Sequence, residues 1–490
     1  MLNTYLGQKG YTISKSELSP EKLEWLKKEL TVKPFVQGGP VVASVATSFP
    51  AYRESPSKIY IPRYFGEKHF GAPKETKLHE GVDISVDFAG ELRDYQKAVS
   101  KIYFDFLQTN GNTGGGLLEL PCAWGKTSFS LHICSQLKKK TLVIVHKEFL
   151  LNQWIERIQQ FMPTARVGRI QGQIIDIEDK DIVLGMLQSL SMKDYHPDTF
   201  KSFGLTIIDE VHHISSEVFS CALFKIVTKY MLGLSATMNR KDGTTRVFKM
   251  FLGEVVYKGE RDEKHNVVVR GIDYVSNDED FKAIKTDYRG NVQYSTMITK
   301  LCTFNHRSEF ILRVLQDMLK EEGAEKQQIM ILAHNKNLLT YLYEAIKSRD
   351  IATVGYYVGG MKEAALKESE TKKVIIATYS MASEALDIRT LTTLIMATPK
   401  TDIEQAVGRI LREKHGTPVV VDIIDEHQPF KNQWTKRKQF YKKQNYKIIR
   451  TSNIRYNPDP TTWKVENMVK EETDGLLGGG CLIRLPKSKK

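Results

Sequence analysis

Two short clusters of polar residues stand directly after apolar stretches and could do chemistry together. The first is Gly125-Lys126-Thr127, which follows an apolar run and precedes a helical pattern. The second is Asp209-Glu210, which ends the apolar run 205–208. Backbone N–H groups at a helix start, a lysine and a threonine suit phosphate oxygens and a magnesium ion. Two carboxylates suit the same ion and an attacking water, so the pattern predicts a nucleoside triphosphate hydrolase.

Each residue of these clusters has an expected role. Lys126 would reach the β and γ phosphates, while the hydroxyl of Thr127 would ligate Mg²⁺. Asp209 would hold the hydration shell of the ion, and Glu210 would orient and polarise water. The strict phosphate-loop pattern has glycine where Leu120 stands, so the loop alone could also be a helix-capping turn. The carboxylates alone could be an acidic helix cap, but the two clusters together favour nucleoside triphosphate hydrolysis.

A third cluster, in residues 405–412, carries two arginines three positions apart. Arg409 and Arg412 fall on one face of the helix that the pattern predicts. Guanidinium groups can neutralise the charge that develops on a γ-phosphate, an effect of about 10³–10⁵ in rate. A surface helix with charges at i and i+3 is the plain alternative. Beside the other two clusters, the pair is interpreted as the cationic part of an ATPase site.

The elements that position these clusters are predicted from apolar periodicity. Short apolar strands alternate with amphipathic helices, and this alternation predicts α/β domains with parallel sheets flanked by helices. Ligands bind at the carboxyl ends of such strands. The predicted segments are an N-terminal accessory module at 1–88, an ATP-binding domain at 89–257, a connector at 258–300, a second α/β domain at 301–450 and a C-terminal tail at 451–490.

Composition narrows the class of protein. The chain has 490 residues, of which 41% are hydrophobic and 26% charged, and these values exclude wholesale disorder. No apolar run approaches the ~18 residues of a membrane span, and the first residues do not resemble a signal peptide. Five cysteines are scattered without metal-ligand spacing, which favours a reducing, intracellular setting. A net charge of +13, from 71 basic and 58 acidic residues, is compatible with a polyanionic partner.

Further motifs, in the same order along the chain, resemble those of DEAH-type superfamily 2 helicases. Arg93–Gln96 is similar to the adenine-reading segment, Asp209–His212 to the DEAH box and Gly233–Thr237 to the coupling motif. Later, 377–387 resembles the fifth motif and Gln405–Arg412 the sixth, Q-x-x-G-R-x-x-R. The likeness is greatest to the XPB-like group and extends to helicases of large cytoplasmic DNA viruses and related phage helicases. It covers roughly residues 89–450.

The resemblance implies two tandem RecA-like domains with a small N-terminal module, and ATP with Mg²⁺ in the inter-domain cleft. It also assigns residues to five roles. The implied residues are, for catalysis, Lys126, Glu210, Arg409 and Arg412; for nucleotide contact, Arg93, Gln96, Pro121, Cys122, Ala123, Trp124, Gly125, Lys126, Thr127 and Asp387; for the metal, Thr127 and Asp209; for coupling, His212, Ser235, Ala236, Thr237 and Gln405; and for nucleic acid, Gln153, Gln188, Ser189, Thr378, Lys442 and Lys443.

Some residues depart from the patterns of these helicases. Ala123 stands where phosphate loops commonly have glycine, and Lys241 stands where the XPB-like group has an acidic residue. Ala385 and Arg389 replace the usual glycine and proline of the fifth motif. Ala123 could affect nucleotide binding, and Lys241 could affect strand separation. Ala385 and Arg389 could affect contact with nucleic acid.

A basic segment at 431–450 has two interpretations. It carries eight basic residues and no acidic ones, interleaved with aromatic side chains. The lysines could contact a phosphate backbone while the aromatic rings stack on bases. Alternatively, the segment is an amphipathic helix with its aromatic residues in the core and its lysines in water. The sequence leaves both open.

The leading hypothesis is an ATP-dependent nucleic-acid helicase or translocase, with DNA favoured over RNA and no membrane partner. It would act inside a cell, and in the host cytoplasm or virion if viral. An RNA-directed helicase or transcript-release motor is one alternative. A catalytically silent nucleic-acid-binding scaffold, or the motor subunit of a restriction or remodelling complex, are others. Transcription or repair proteins as partners stay open.

Overall fold

Two units make up the protein, and each contains its own eight-stranded sheet. The computed structural model describes residues 2–34, 48–121, 124–213, 216–238, 243–259, 266–384, 388–411 and 416–469. Unit 1 spans Met1–Asp262 and unit 2 spans Glu263–Lys490. Among the sequence-predicted site residues, Cys122, Ala123, Asp387 and Arg412 lie outside the described residues, as do Lys241 and Ala385.

Unit 1 alternates strands and helices as expected from its apolar periodicity. Its strands are β1 (Thr4–Gly7), β2 (Gly10–Ser14), β3 (Thr31–Val32), β4 (Phe49–Pro50), β5 (Arg53–Glu54), β6 (Lys58–Ile61), β7 (Glu75–Thr76), β8 (Gly114–Glu119), β9 (Thr141–Val145), β10 (Val167–Gln171), β11 (Ile174–Asp176), β12 (Ile182–Met186), β13 (Leu205–Ile208), β14 (Tyr230–Ser235) and β15 (Val255–Lys258). Its helices are α1 (Pro20–Glu29), α2 (Arg63–Phe70), α3 (Asp94–Thr109), α4 (Lys126–Leu137), α5 (Glu148–Phe161), α6 (Leu187–Met192), α7 (Ser216–Leu223) and α8 (Thr245–Leu252).

The large sheet of unit 1 brings the predicted clusters to one edge. Its order is β11-β10-β12-β9-β13-β14-β8-β15, and every neighbouring pair from β10 to β15 is parallel. Strands β9, β12 and β13 are buried along their whole length, as expected for a parallel sheet covered on both faces. Because β13, β14 and β8 are adjacent, their carboxyl ends place the phosphate loop, the acidic pair and Ser235 side by side.

The N-terminal segment is not a separate module, which corrects the prediction for 1–88. It forms a five-stranded sheet, β5-β6-β2-β1-β7, whose apolar side chains continue into the core of the larger sheet. Polar contacts join the two as well. The Tyr64 hydroxyl donates to the Gly115 carbonyl (3.2 Å), and Gln8 Nε2 donates to the Lys225 carbonyl (3.0 Å). A shared core cannot be read from composition, because the residues that form it are far apart in the chain.

Unit 2 has the second parallel sheet. Its strands are β16 (Val268–Tyr274), β17 (Ile329–Ala333), β18 (Val354–Tyr357), β19 (Val374–Thr378), β20 (Thr393–Met396), β21 (Val419–Asp425), β22 (Lys447–Ser452) and β23 (Lys464–Asn467). Its helices are α9 (Glu279–Lys282), α10 (Tyr294–Thr303), α11 (Asn305–Met318), α12 (Lys336–Ser348), α13 (Glu363–Glu370), α14 (Tyr379–Glu384), α15 (Glu404–Arg409) and α16 (Gln428–Lys443). The order is β18-β19-β17-β20-β21-β16-β22-β23, with only β23 antiparallel to its neighbour.

The boundaries of the second domain differ from those predicted. Strand β16 lies inside the sheet, between β21 and β22, although 258–300 was expected to be a connector. The sequence did not predict this strand because it contains the charged residues Arg270 and Asp273. In the structure Arg270 pairs with Glu321 and Asp273 pairs with Arg450. Strand β23 likewise adds an edge from the predicted tail. The fold class itself, α/β with two RecA-like parallel sheets, is confirmed.

Within the described part of the chain, no helix combines the length and the apolar character that crossing a membrane requires.

Candidate active site

The phosphate loop of unit 1 ends in a turn that requires glycine. Gly125 lies in the left-handed region (φ 91°) as the N-cap of α4, which starts at Lys126. A Cβ at this position would come within 2.7 Å of Gln96 Nε2. Gln96 Nε2 in turn donates to the Trp124 carbonyl (3.0 Å), so the loop is held against the start of α3. Lys126 and Thr127 are half-buried at the first turn of α4, where N–H groups can receive phosphate oxygens.

The acidic pair follows β13 in a constrained conformation. Asp209 is buried, and its Oδ2 accepts a hydrogen bond from Trp154 Nε1 (2.9 Å). Its Oδ1 accepts from the Glu210 backbone N–H (2.9 Å). Glu210 has φ 49°, which is rarely adopted by residues other than glycine and is common where function requires it. Lys126 Nζ lies 2.7 Å from Glu210 Oε1, so the cation of the loop and the predicted water-polarising acid are in contact.

The electrostatics of this pair favour a cation. Burial raises the pKa of Asp209, the charge of Glu210 raises it further, and Lys126 acts in the opposite direction. A divalent ion would offset both unfavourable effects. Among the described residues, no group of three or more His, Cys, Asp or Glu side chains could hold a metal by itself. One carboxylate and a hydroxyl, completed by phosphates and water, nevertheless fit the ligand habits of Mg²⁺.

Among the predicted coupling residues, those of unit 1 form a series of contacts that starts at the acidic pair. His212 Nδ1 lies 3.4 Å from Glu210 Oε2 and 2.5 Å from the Ser235 hydroxyl at the end of β14. The Thr237 N–H donates to the same hydroxyl (3.2 Å), and Ala236 and Thr237 are half-buried. His212 and Ser235 therefore connect Glu210 to the segment that follows β14, and their coupling role stays a prediction.

Two aromatic residues complete the site beyond what the motifs indicated. Trp154, which follows Gln153 in the sequence, is fully buried, and its Nε1 donates to the Asp209 carboxylate. Tyr95 is exposed; its ring centroid lies 5.3 Å from that of Trp124, and its hydroxyl accepts from Arg93 Nη1 (2.6 Å). Its only sequence signal was its place between Arg93 and Gln96. The amide oxygen of Gln96 accepts from the Arg93 N–H (3.0 Å), so both ends of this amide are engaged within unit 1.

The remaining predicted nucleotide contacts of unit 1 are at its surface. Pro121 is half-buried at the start of the phosphate loop, and Arg93 is exposed as the N-cap of α3. Both therefore lie beside the described part of the loop, and their contact with a nucleotide stays a prediction.

In unit 2 the described part of the sixth motif forms α15. Arg409 is the last residue of this helix; it is buried, and its Nε donates to the Ala382 carbonyl (2.8 Å). Gln405 is half-buried on the same helix. The facing of Arg409 and Arg412 on one helix stays a prediction, since α15 ends at Arg409.

The predicted nucleic-acid residues lie on different elements. Gln153 is half-buried on α5 and Gln188 is exposed at the start of α6, while the Ser189 hydroxyl accepts from the Gly172 N–H (2.9 Å). Thr378 ends β19, with its hydroxyl 3.2 Å from that of Ser380. Lys442 and Lys443 are exposed at the end of α16.

Of the two interpretations of residues 431–450, the structure supports the amphipathic helix. Trp434, Tyr441 and Tyr446 are buried in unit 2, and Phe440 is half-buried. The three buried rings are packed in the core and do not present a stacking surface to bases. Base stacking by these residues is therefore excluded, whereas phosphate contact by the exposed lysines is not.

Comparison with known proteins gives the family. Residues 89–240 match the domain family described as "Type III restriction enzyme, res subunit". A protein of Acanthamoeba polyphaga mimivirus, named "Putative ATP-dependent RNA helicase L396", is 35% identical over 460 residues, covering 91% of this chain and 86% of that protein. The chain belongs to the superfamily 2 helicases related to those of large DNA viruses. This helicase is therefore an ATP-hydrolysing enzyme that acts on nucleic acid.

More distant similarities accompany this match. A protein of African swine fever virus (isolate Pig/Kenya/KEN-50/1950), named "Putative ATP-dependent RNA helicase QP509L", is 28% identical to the helicase over 382 residues, covering 73% of this chain and 74% of that protein. Among solved structures, S. cerevisiae Dbp5 bound to RNA and ADP BeF3 is 13% identical to this chain, with a TM-score of 0.48; the match covers 69% of this chain and 86% of that chain.

Proposed function

We propose that this helicase hydrolyses ATP at the carboxyl edge of the unit 1 sheet and uses the energy to move along DNA. The observation that carries the proposal is the contact between Lys126 Nζ and Glu210 Oε1 at 2.7 Å, directly beside the buried Asp209. A phosphate-binding lysine, a metal-binding acid and a water-polarising acid are thus gathered at one edge. They are the groups that phosphoryl transfer requires.

Each residue of the proposed site has its own role in ATP hydrolysis. Lys126 and the N–H groups at the start of α4 hold the phosphates, and Glu210 polarises the attacking water. In this structure Glu210 forms an ion pair with Lys126. Bound phosphates would attract Lys126, and the Glu210 carboxylate would then be able to accept a hydrogen bond from the attacking water. Arg409 neutralises charge on the transferred phosphoryl group, and we extend the same role to Arg412. Asp387 is proposed to contact the nucleotide.

A magnesium ion, when bound, would neutralise phosphate charge in this site. Asp209 and Thr127 would hold it, Asp209 through water. Trp154 contributes by fixing the carboxylate of Asp209 through one oxygen. The same arrangement explains why this acid can remain buried: its counter-charge arrives with the nucleotide.

At the other end of the nucleotide, Arg93, Gln96 and Tyr95 are proposed to form the adenine contacts. Gln96 would pair with the base edge after exchanging one of its present hydrogen bonds to the chain. The ring of Tyr95 is exposed beside Trp124 and could cover the face of the base. The DEAH-type and XPB-like assignments within the superfamily belong to the same proposal.

The nature of the strand is the finer part of the proposal. The motif resemblance supports DNA, with contacts from Gln153, Gln188, Ser189 and Thr378 and from the exposed lysines of α16. An RNA-directed motor is the second candidate, and the printed names of the mimivirus and African swine fever virus relatives favour it. Phosphate contacts serve both polymers, whereas contacts to the 2′-hydroxyl would separate them.

The test is ATP turnover by the full chain at one fixed salt concentration. Single-stranded DNA, duplex DNA, forked DNA and RNA of matched sequence and length are compared, because salt strongly affects every such affinity. We expect at least one DNA form to stimulate turnover tenfold or more above the matched RNA. Stronger stimulation by RNA would overturn the DNA assignment and support the second candidate. The Lys126→Ala variant provides the background rate on every substrate.

A further inference from the structure

The loop that precedes α15 in unit 2 is held through four successive backbone carbonyls. Each accepts a hydrogen bond from a different side chain. The bonds are Arg307 Nη1 to the Ala397 carbonyl (2.7 Å), the Tyr379 hydroxyl to the Thr398 carbonyl (2.5 Å), the Tyr294 hydroxyl to the Pro399 carbonyl (3.2 Å) and Arg437 Nη1 to the Lys400 carbonyl (2.9 Å). We call these four donors and the loop 397–400 the carbonyl clamp.

The covalent structure of the loop explains why it needs side-chain donors. The chain leaves the sheet after β20, and residues 397–399 are buried, so their carbonyls must find partners inside the protein. Pro399 cannot donate a hydrogen bond and restricts Thr398 to extended conformations, which disfavours a helical turn that would satisfy the carbonyls locally. The donors come instead from α10, α11, α14 and α16. The loop is thereby tied to four separate helices of unit 2.

The two arginine donors are themselves immobilised. Arg307 makes two bonds to the Asp425 carboxylate (2.6 and 2.8 Å), and Arg437 makes two to Asp422 (2.7 and 2.8 Å). Both aspartates belong to β21, and all four side chains are buried. A bidentate pair fixes the plane of a guanidinium group, so the remaining Nη1 donates in one direction. The clamp therefore transmits the position of the sheet to the loop.

A second connection leads from the clamp to Arg409. Tyr379 is the first residue of α14, and the Ala382 carbonyl on the same helix accepts from Arg409 Nε (2.8 Å). Helix α14 thus contacts the loop before α15 through Tyr379, and it contacts Arg409 at the end of α15 through Ala382. Loss of the Tyr379 bond would loosen both ends of this arrangement.

We propose that the carbonyl clamp is a positioning device for Arg409, with Tyr379, Tyr294, Arg307 and Arg437 as positioning residues for ATP hydrolysis. The inference rests on the proposed role of Arg409 in neutralising the transferred phosphoryl group. Electrostatic catalysis requires such groups to be held in place before the reaction, and small misplacements cost large factors in rate. The clamp residues act through Arg409 and do not touch the nucleotide.

The first test compares two tyrosine variants in the full chain. Tyr379→Phe removes one hydroxyl of the clamp. Tyr357→Phe removes the hydroxyl of a buried tyrosine on the edge strand β18 of the same unit, and this hydroxyl donates to Glu370 Oε1 on α13 (3.1 Å). We expect Tyr379→Phe to lower kcat for ATP about tenfold, with KM for ATP and nucleic-acid affinity within twofold of the unaltered protein. Tyr357→Phe should leave kcat within twofold. Equal effects of the two variants on kcat would overturn the proposal.

The second test is a double-mutant cycle with Arg409→Lys, which separates this inference from the proposed function. If the clamp acts through Arg409, Tyr379→Phe should cost less than twofold in the Arg409→Lys background. A full tenfold loss in both backgrounds would overturn the clamp while leaving the role of Arg409 intact. No effect of Arg409→Lys by itself would overturn the role of Arg409 and the clamp together.

A milder variant guards against a folding defect in Tyr379→Phe. The Tyr294 side chain is partly exposed, and its hydroxyl also accepts from Gln433 Nε2 (3.0 Å), so Tyr294→Phe is expected to fold normally. We expect it to lower kcat about threefold by the same route. An unchanged kcat in a folded Tyr294→Phe variant, together with a Tyr379→Phe variant that does not fold, would count against the proposal.

Discussion

The sheets of the two units bury acidic side chains in different ways. In unit 2, Asp422 and Asp425 each form a bidentate pair with a fully buried arginine. In unit 1, buried Asp209 receives hydrogen bonds from the Trp154 ring and the Glu210 backbone, and a second carboxylate adjoins it. Unit 2 thus neutralises its acids internally, whereas unit 1 holds an acid that a bound cation would stabilise. The difference separates carboxylates that hold the fold from one that is poised for a ligand.

Breaking an internal pair in unit 2 should have the largest effect. Arg307→Met leaves Asp425 buried without its cation, and we expect a loss of about 3–5 kcal/mol in the free energy of unfolding of unit 2. Denaturant unfolding measures it. The matched control is Arg349→Met, which breaks the exposed pair with Glu309 and should change the free energy of unfolding far less. Similar losses for the two variants would refute the comparison, and adding Asp425→Leu to Arg307→Met should recover part of the stability.

Removing the loop lysine of unit 1 should have its main effect on the rate of ATP turnover. Lys126→Ala deletes the cation that faces the phosphates, and we expect ATP turnover to fall about 10²–10³-fold. Because Lys126 contacts Glu210 in a largely buried position beside Asp209, the free energy of unfolding without nucleotide should also fall. Steady-state turnover and denaturant unfolding of the same preparation test both parts. Lys101→Ala, which removes an exposed pair with Asp105, should change neither quantity.

Removing the buried charge of Asp209 should abolish turnover and change the way stability depends on pH. Since the folded-state pKa is raised, the folded protein binds the proton more tightly than the unfolded chain, and stability is lost as pH rises through that pKa. Asp209→Asn has no charge to bury, but its amide NH2 replaces one of the two oxygens that accept hydrogen bonds from Trp154 and Glu210. Without nucleotide and Mg²⁺, we therefore expect the stability of the variant relative to the unaltered protein to increase as the pH rises from the unfolded-state pKa through the folded-state pKa, and to stay constant above it. Denaturant unfolding at several pH values measures this difference, and a difference that does not change with pH would show that Asp209 carries no unfavourable buried charge.

The smallest effect is expected at the exposed lysines of α16. Lys442→Gln and Lys443→Gln together should weaken nucleic-acid binding a few-fold. The slope of the logarithm of the binding constant against the logarithm of salt concentration should decrease by an amount that corresponds to at most about two released counterions. Binding titrations at several salt concentrations measure the slope. Lys362→Gln, an exposed lysine elsewhere in unit 2, serves as the control. An unaltered slope in the double variant would exclude these lysines from the nucleic-acid contact.

Several sequence predictions were confirmed because they depend on local patterns. Apolar periodicity indicated an α/β fold with parallel sheets, and the order of the motifs indicated an ATP-hydrolysing superfamily 2 helicase. The prediction of a connector at 258–300 was wrong in part, because two charged residues interrupt the apolar pattern of β16. Its Arg270 and Asp273 are tolerated inside the sheet because Glu321 and Arg450 pair with them. The choice between core and stacking for the aromatic residues of α16 also required the structure.

The sequence by itself determined which residues carry phosphate chemistry and in what order they occur, because residue type and strand-to-loop spacing are local properties of the chain. The tertiary structure alone decided the surroundings of these residues. Trp154 on α5 donates to Asp209 at the end of β13, and Arg307 and Arg437 contact both β21 and the loop before α15. Such contacts join residues that are distant in sequence and leave no periodic signal. They depend on which strands become neighbours when the sheets form.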